Sequence, residues 1–113
     1  MAVPAVPEGL PQWRWLNGLQ GDAKYEAGRD GSGKLLMTAG AQTDWFNPAP
    51  VPNSPAALSN APALVFTPPV GYWQLSARVH VTHTNLFDAG TLFLHQGSDD
   101  WCKLCYELSP ENK

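Results

Sequence analysis

Glycine and proline interrupt this chain so often that no stretch between them can carry a long helix. Ten glycines and eleven prolines are spread over 113 residues, and no extended apolar pattern at helical spacing survives between them. What remains is a set of short strand-like runs at Trp13 to Leu16, Ala23 to Ala27, Lys34 to Ala39, Ala63 to Thr67, Tyr72 to His83, Thr91 to Gln96 and Trp101 to Leu108. Most are bounded by turn residues, so the chain is predicted to be all-β, an antiparallel sandwich or barrel. Asp30-Gly-Ser-Gly33 and Gly97-Ser-Asp-Asp100 read as hairpin turns, which makes Asp30, Asp99 and Asp100 turn formers rather than catalysts.

The clearest period-two pattern begins at Tyr72. Trp73, Leu75, Ala77, Val79 and Val81 fall on one face, and Gln74, Ser76, Arg78, His80 and Thr82 on the other, the mark of a half-buried strand. In the last run Cys102, Leu104, Tyr106 and Leu108 share an apolar face, opposite Trp101, Lys103, Cys105 and Glu107. Leu92 and Leu94 then point inward, with Thr91, Phe93 and His95 outward. If these three runs are neighbours in one sheet, their outward faces pool Arg78, His80, Phe93, His95, Trp101, Lys103 and Glu107. A plain solvent face would not need Phe93 and Trp101, whereas Trp13, Trp15 and Trp73 are expected to pack in the core.

Residues 47–62 carry five prolines and no strand pattern. A loop this long within a domain is usually functional or disordered, and proline stiffens it through its fixed φ. A partly ordered flap beside the sheet is the expectation, with Asp44 and Trp45 at its start.

Composition excludes several partners and chemistries. Seven basic residues against ten acidic ones give a formal charge of −3 without a basic run, so no phosphate-tracking surface for nucleic acid is expected. No run is long enough to cross a bilayer, and the start lacks the positive region of a signal peptide, which points to the cytoplasm. Cys102 and Cys105 lie three residues apart in a predicted strand, so their α-carbons are about 10 Å apart, beyond disulfide reach. Free structural thiols are expected. His80, His83 and His95 lie on more than one run and offer no paired-ligand spacing, so neither a metal nor any cofactor is anticipated. No nucleophile elbow or phosphate-cradling glycine loop is present.

Four short markers, in order, carry a family resemblance: Trp15-Leu16-Asn17, Thr43-Asp44-Trp45-Phe46, Phe87-Asp88-Ala89-Gly90, and Trp101-x-Lys103-x-x-x-Glu107. The chain resembles the family known as domain of unknown function 1349, grouped with regulation-of-enolase-like proteins and with the concanavalin A-like lectins and glucanases. Asp88 stands where the family pattern has glutamine. The resemblance implies a jelly-roll, concanavalin A-like sandwich of which residues 1–113 form the N-terminal half, with the Pro-rich loop 47–62 inside it. The chain stops at Ser109-Pro-Glu-Asn-Lys113, which reads as a turn, so a second polypeptide or a second copy is expected to complete the sandwich. Half a sandwich exposes strand edges and apolar faces.

Three functional readings follow. The first is a non-catalytic binding module for a carbohydrate or similar polar small molecule, with Asp44, Trp45, Arg78, His80, Phe93, His95, Trp101, Lys103 and Glu107 as candidate ligand-binding residues. Aromatic faces supply apolar contact, and charged or imidazole groups supply directional hydrogen bonds. The second is a glycoside hydrolase with Glu107 as one catalytic carboxylate. Retaining enzymes of that kind need two carboxyl groups about 5–5.5 Å apart, and the residues before Glu107 on its face are Cys105 and Lys103. The third is a protein-interaction or regulatory role, permitted by the Pro-rich segment and the incomplete sheets.

Overall fold

The computed structural model describes residues 4–30 and 32–111. Nearly all of its regular structure is β, in short antiparallel ladders of the kind an incomplete β-sandwich has, and no α-helix occurs among the described residues. The chain divides into two compact units, residues 1–68 and 69–113.

In the first unit, β1 (Arg14–Leu16) pairs with β6 (Ala63–Val65), β2 (Gly21–Ala27) with β3 (Gly33–Ala39), and β4 (Trp45–Phe46) with β5 (Leu58–Ser59). A 3-10 turn at Gly18–Gln20 leads from β1 into β2. The β2–β3 hairpin turns where Asp30 to Gly33 predict it. The Asp30 carboxylate accepts hydrogen bonds from the Ser32 amide at 3.0 Å and the Ser32 hydroxyl at 2.5 Å, and these bonds hold its pKa below the ordinary value. Gly31, within that turn, lies outside the described residues.

The Pro-rich segment is not free of strand structure, because Leu58 and Ser59 close it back onto β4. A polar network reinforces that closure. Asn60 Oδ1 accepts from the Asp44 amide at 2.9 Å, and the Asn60 amide N–H donates to Asp44 O at 3.0 Å. Asn17 sits in the left-handed region, φ 54°, a conformation asparagine tolerates better than most residues. From there its Nδ2 donates to Ser59 O and Ala61 O, both at 2.9 Å. Trp45, only 8% exposed, is the buried apolar side chain of this unit, and its indole N–H donates to Ala61 O at 2.9 Å. Trp13 stacks at a tilt on Phe66, with ring centroids 4.8 Å apart.

The second unit is built on one hairpin, β7 (Ala89–Gly97) with β8 (Asp100–Glu107). Its turn falls at Ser98 and Asp99, as Gly97-Ser-Asp-Asp100 predicts, with a register irregularity between His95 and Gly97. Strand β8 alternates as its sequence demands, so Glu107 lies on the face opposite Leu104 and Tyr106.

Two expectations need correction here. The run from Tyr72 to His83 joins no ladder, although its pattern is the clearest in the chain. Trp73 is 44% exposed and Leu75 38%, so neither is core. Alternation specifies which side chains share a face, but a strand also needs a neighbour to take its N–H and C=O groups. The three-run sheet that would have pooled Arg78 and His80 with the hairpin is therefore not formed, and both residues are exposed on an unpaired segment. The assignment of inside and outside on β7–β8 also fails in part, although Leu92 is half-buried and Thr91 exposed as predicted. Leu104 is 72% exposed and Leu94 and Tyr106 are exposed too, whereas Phe93, His95, Trp101, Lys103 and Glu107 are half-buried.

Candidate functional site

Strand pairing, not sequence proximity, assembles the main candidate site. In the β7–β8 register His95 lies opposite Trp101, Phe93 opposite Lys103, Thr91 opposite Cys105 and Ala89 opposite Glu107. Directly opposed residues project to the same side of a sheet, so these eight side chains line one face.

Phe93 is the centre of its aromatic part. Its ring lies 5.9 Å from that of Trp101 and 5.7 Å from that of His95, centroid to centroid, at tilts of 48° and 36°, within the range of favourable aromatic pairing. The Trp101 indole N–H donates to Ser98 O at 3.2 Å, which ties the ring to the hairpin turn. Lys103 brings a cation beside this cluster and Glu107 an anion further along the same strand face, with Cys105 between them. Thr91 Oγ1 donates to Cys105 Sγ at 3.7 Å. Cys105 and Cys102 are both free thiols on opposite faces of β8, as the spacing predicts.

The loop that feeds β7 is fastened by Asp88. Its Oδ2 accepts from the Asn85 amide at 2.9 Å and from the Thr84 amide and hydroxyl, both at 3.1 Å. The amides of Asn85 and Thr84 stabilise the carboxylate and lower its pKa from the ordinary value of 3.8. An aspartate with three donors has a structural task here. Phe87 takes φ 70° beside it, a backbone state rarely adopted by a bulky residue.

The other predicted site residues are placed elsewhere. Asp44 and Trp45 belong to the first unit. There the Asp44 carboxylate accepts from the Trp45 amide at 2.8 Å, and the Trp45 ring is buried. Arg78 and His80 lie on the unpaired segment before the hairpin. No group of three or more histidine, cysteine, aspartate or glutamate side chains arranged to hold a metal occurs among the described residues.

One feature was not signalled by the sequence. An open groove of about 350 Å³ lies in the first unit, lined by Trp15, Asn17, Leu19, Gln20 and Asn60 among others. Its residues come from β1, the 3-10 turn and the end of β5, so only long-range pairing brings them together. Trp15-Leu16-Asn17 was visible as a marker, but no local pattern linked it to Asn60.

The molecule is thus a nearly all-β protein of short antiparallel ladders, with one hairpin face that combines aromatic, cationic and anionic side chains. It belongs to the family described as "Protein of unknown function (DUF1349)", whose model matches residues 19–113. That match takes in three of the four sequence markers and begins just after Trp15-Leu16-Asn17. No curated protein and no solved structure matches the chain. Among the described residues, no helix is long and apolar enough to cross a membrane.

Proposed function

We propose that this protein is a non-catalytic binding module for a carbohydrate or a similar polar small molecule, held on the β7–β8 face that carries Phe93, His95, Trp101, Lys103 and Glu107. The observation behind this reading is the Phe93 ring in contact distance of both Trp101 and His95, with Lys103 directly across the ladder. Aromatic faces receive the C–H faces of a sugar ring, and the ammonium and carboxylate bond its hydroxyl groups. The reading takes the ladders as parts of a concanavalin A-like sandwich. Its setting is the cytoplasm, whose reducing conditions suit the two free thiols.

Turnover is not part of the reading. Along β7 and β8 the residues that share a face with Glu107 are Ala89, Thr91, Phe93, His95, Trp101, Lys103 and Cys105, and none supplies the second carboxylate that glycoside hydrolysis requires.

A glycan-array screen of the full chain, followed by calorimetric titration of the hits, tests the proposal. Trp101→Ala is expected to weaken binding at least tenfold while circular dichroism stays unchanged, and Trp101→Phe to retain most of the affinity. Absence of binding to every glycan on the array would overturn the reading. Unfolding of both Trp101 variants would do so as well, because Trp101 would then be a packing residue.

A further inference from the structure

We propose that a second copy of this chain pairs antiparallel with the segment Tyr72 to His83, edge to edge, and makes the protein a symmetric dimer. Among the described residues, the backbone from 69 to 83 takes part in no ladder and no backbone hydrogen bond. Its last residues, 79 to 83, nevertheless keep strand-like alternation. A side chain at Gly90 would collide with Val79 and would come within 2.8 Å of Val81 Cγ2, and His83 packs edge-on against Tyr106 with ring centroids 5.0 Å apart. Alternate residues 79, 81 and 83 therefore turn to the β7–β8 hairpin, as period two requires. The N–H and C=O groups lie along the edges of such a strand, where a partner strand can take them.

The sequence of the segment favours its own copy as that strand. In an antiparallel pairing centred on Ala77, Trp73 meets Val81, Leu75 meets Val79, and Ala77 meets itself, so all the apolar residues stay on one face. On the other face Gln74 meets His80 and Ser76 meets Arg78. Arg78 is the only residue with a permanent charge between Tyr72 and His83, and it falls opposite a serine, so no like charges oppose each other. The smallest apolar side chain sits on the two-fold axis, where two identical residues approach most closely. Such an interface is isologous and closes on itself. It also shields the half-exposed Trp73 and Leu75.

This inference does not depend on sugar binding, so the two can fail separately. Sedimentation equilibrium of the full chain is expected to give a dimer, and Ala77→Pro, which removes an N–H and blocks pairing, a monomer with an unchanged hairpin spectrum. Cross-linking then fixes the register in a Cys102→Ala, Cys105→Ala background. Opposed residues in an antiparallel pair lie about 4.5–5.5 Å apart, within disulfide range. Mild oxidation of Ala77→Cys is expected to give mostly covalent dimer, and Val79→Cys, whose counterpart is Leu75, at least tenfold less. A monomer at all concentrations, or a dimer in which Ala77→Cys fails to cross-link, would overturn the proposal.

Discussion

The two units reach order by different routes. The first buries Trp45 and surrounds it with side-chain bonds to backbone: Asn17 to Ser59 and Ala61, Asn60 to Asp44, and the Trp45 indole to Ala61. The second has no fully buried large side chain among its described residues and relies on one long ladder, with Asp88 fastening the loop before it. The difference teaches where each is vulnerable. A two-residue ladder such as β4–β5 cannot hold a Pro-rich segment alone, so that segment depends on the Trp45 ring and its polar neighbours. A hairpin with exposed faces depends on what lies against those faces.

Three substitutions bear on that contrast. Trp45→Ala is expected to have the largest effect, a loss of roughly 3–5 kcal/mol for an aromatic deletion at a buried site, read by urea denaturation. A loss below about 1 kcal/mol would remove Trp45 from the centre of the first unit. Gly90→Val comes next. Its side chain must displace Val79 and Val81, and overpacking of this kind costs about 1–3 kcal/mol. If thermal melts show no change, the segment before the hairpin does not rest on β7.

The smallest effect is confined to acid. Because the pKa of Asp88 is lowered in the folded protein, its stabilising contribution is fully present above the ordinary carboxylate value of 3.8. It is lost as pH falls through the lower folded value. Asp88→Asn should therefore flatten the acid limb of the stability curve and leave the rest of its shape unaltered. An identical acid limb in the variant would show that the three donors to Asp88 do not hold the loop.

Much of the fold was legible because hairpins are local. The Asp30 and Gly97 turns and the alternation of β8 follow from residues within a few positions of one another, and the structure has them where the sequence predicts them. Alternation within each run groups Phe93 with His95 and Trp101 with Lys103 and Glu107, but the turn alone would set Phe93 against Leu104. The one-residue register shift between His95 and Gly97 sets it against Lys103 and brings the two groups to one face. Arg78 and His80 would join that face only with a third strand beside the hairpin. Alternation could not supply that neighbour. The apolar character of Leu104 and Tyr106 predicts an inward face, yet a face is buried only where something covers it, and both are exposed.

By itself, the sequence determined that this chain is all-β, where its hairpins turn and which side chains share a strand face, because backbone sterics and period-two geometry act over a few residues. Only the tertiary structure decided which strands found partners, that Trp45 is enclosed while Leu104 is exposed, and that Asn17 and Asn60 line one groove. Those outcomes depend on contacts between residues tens of positions apart, and no local pattern encodes which of them form.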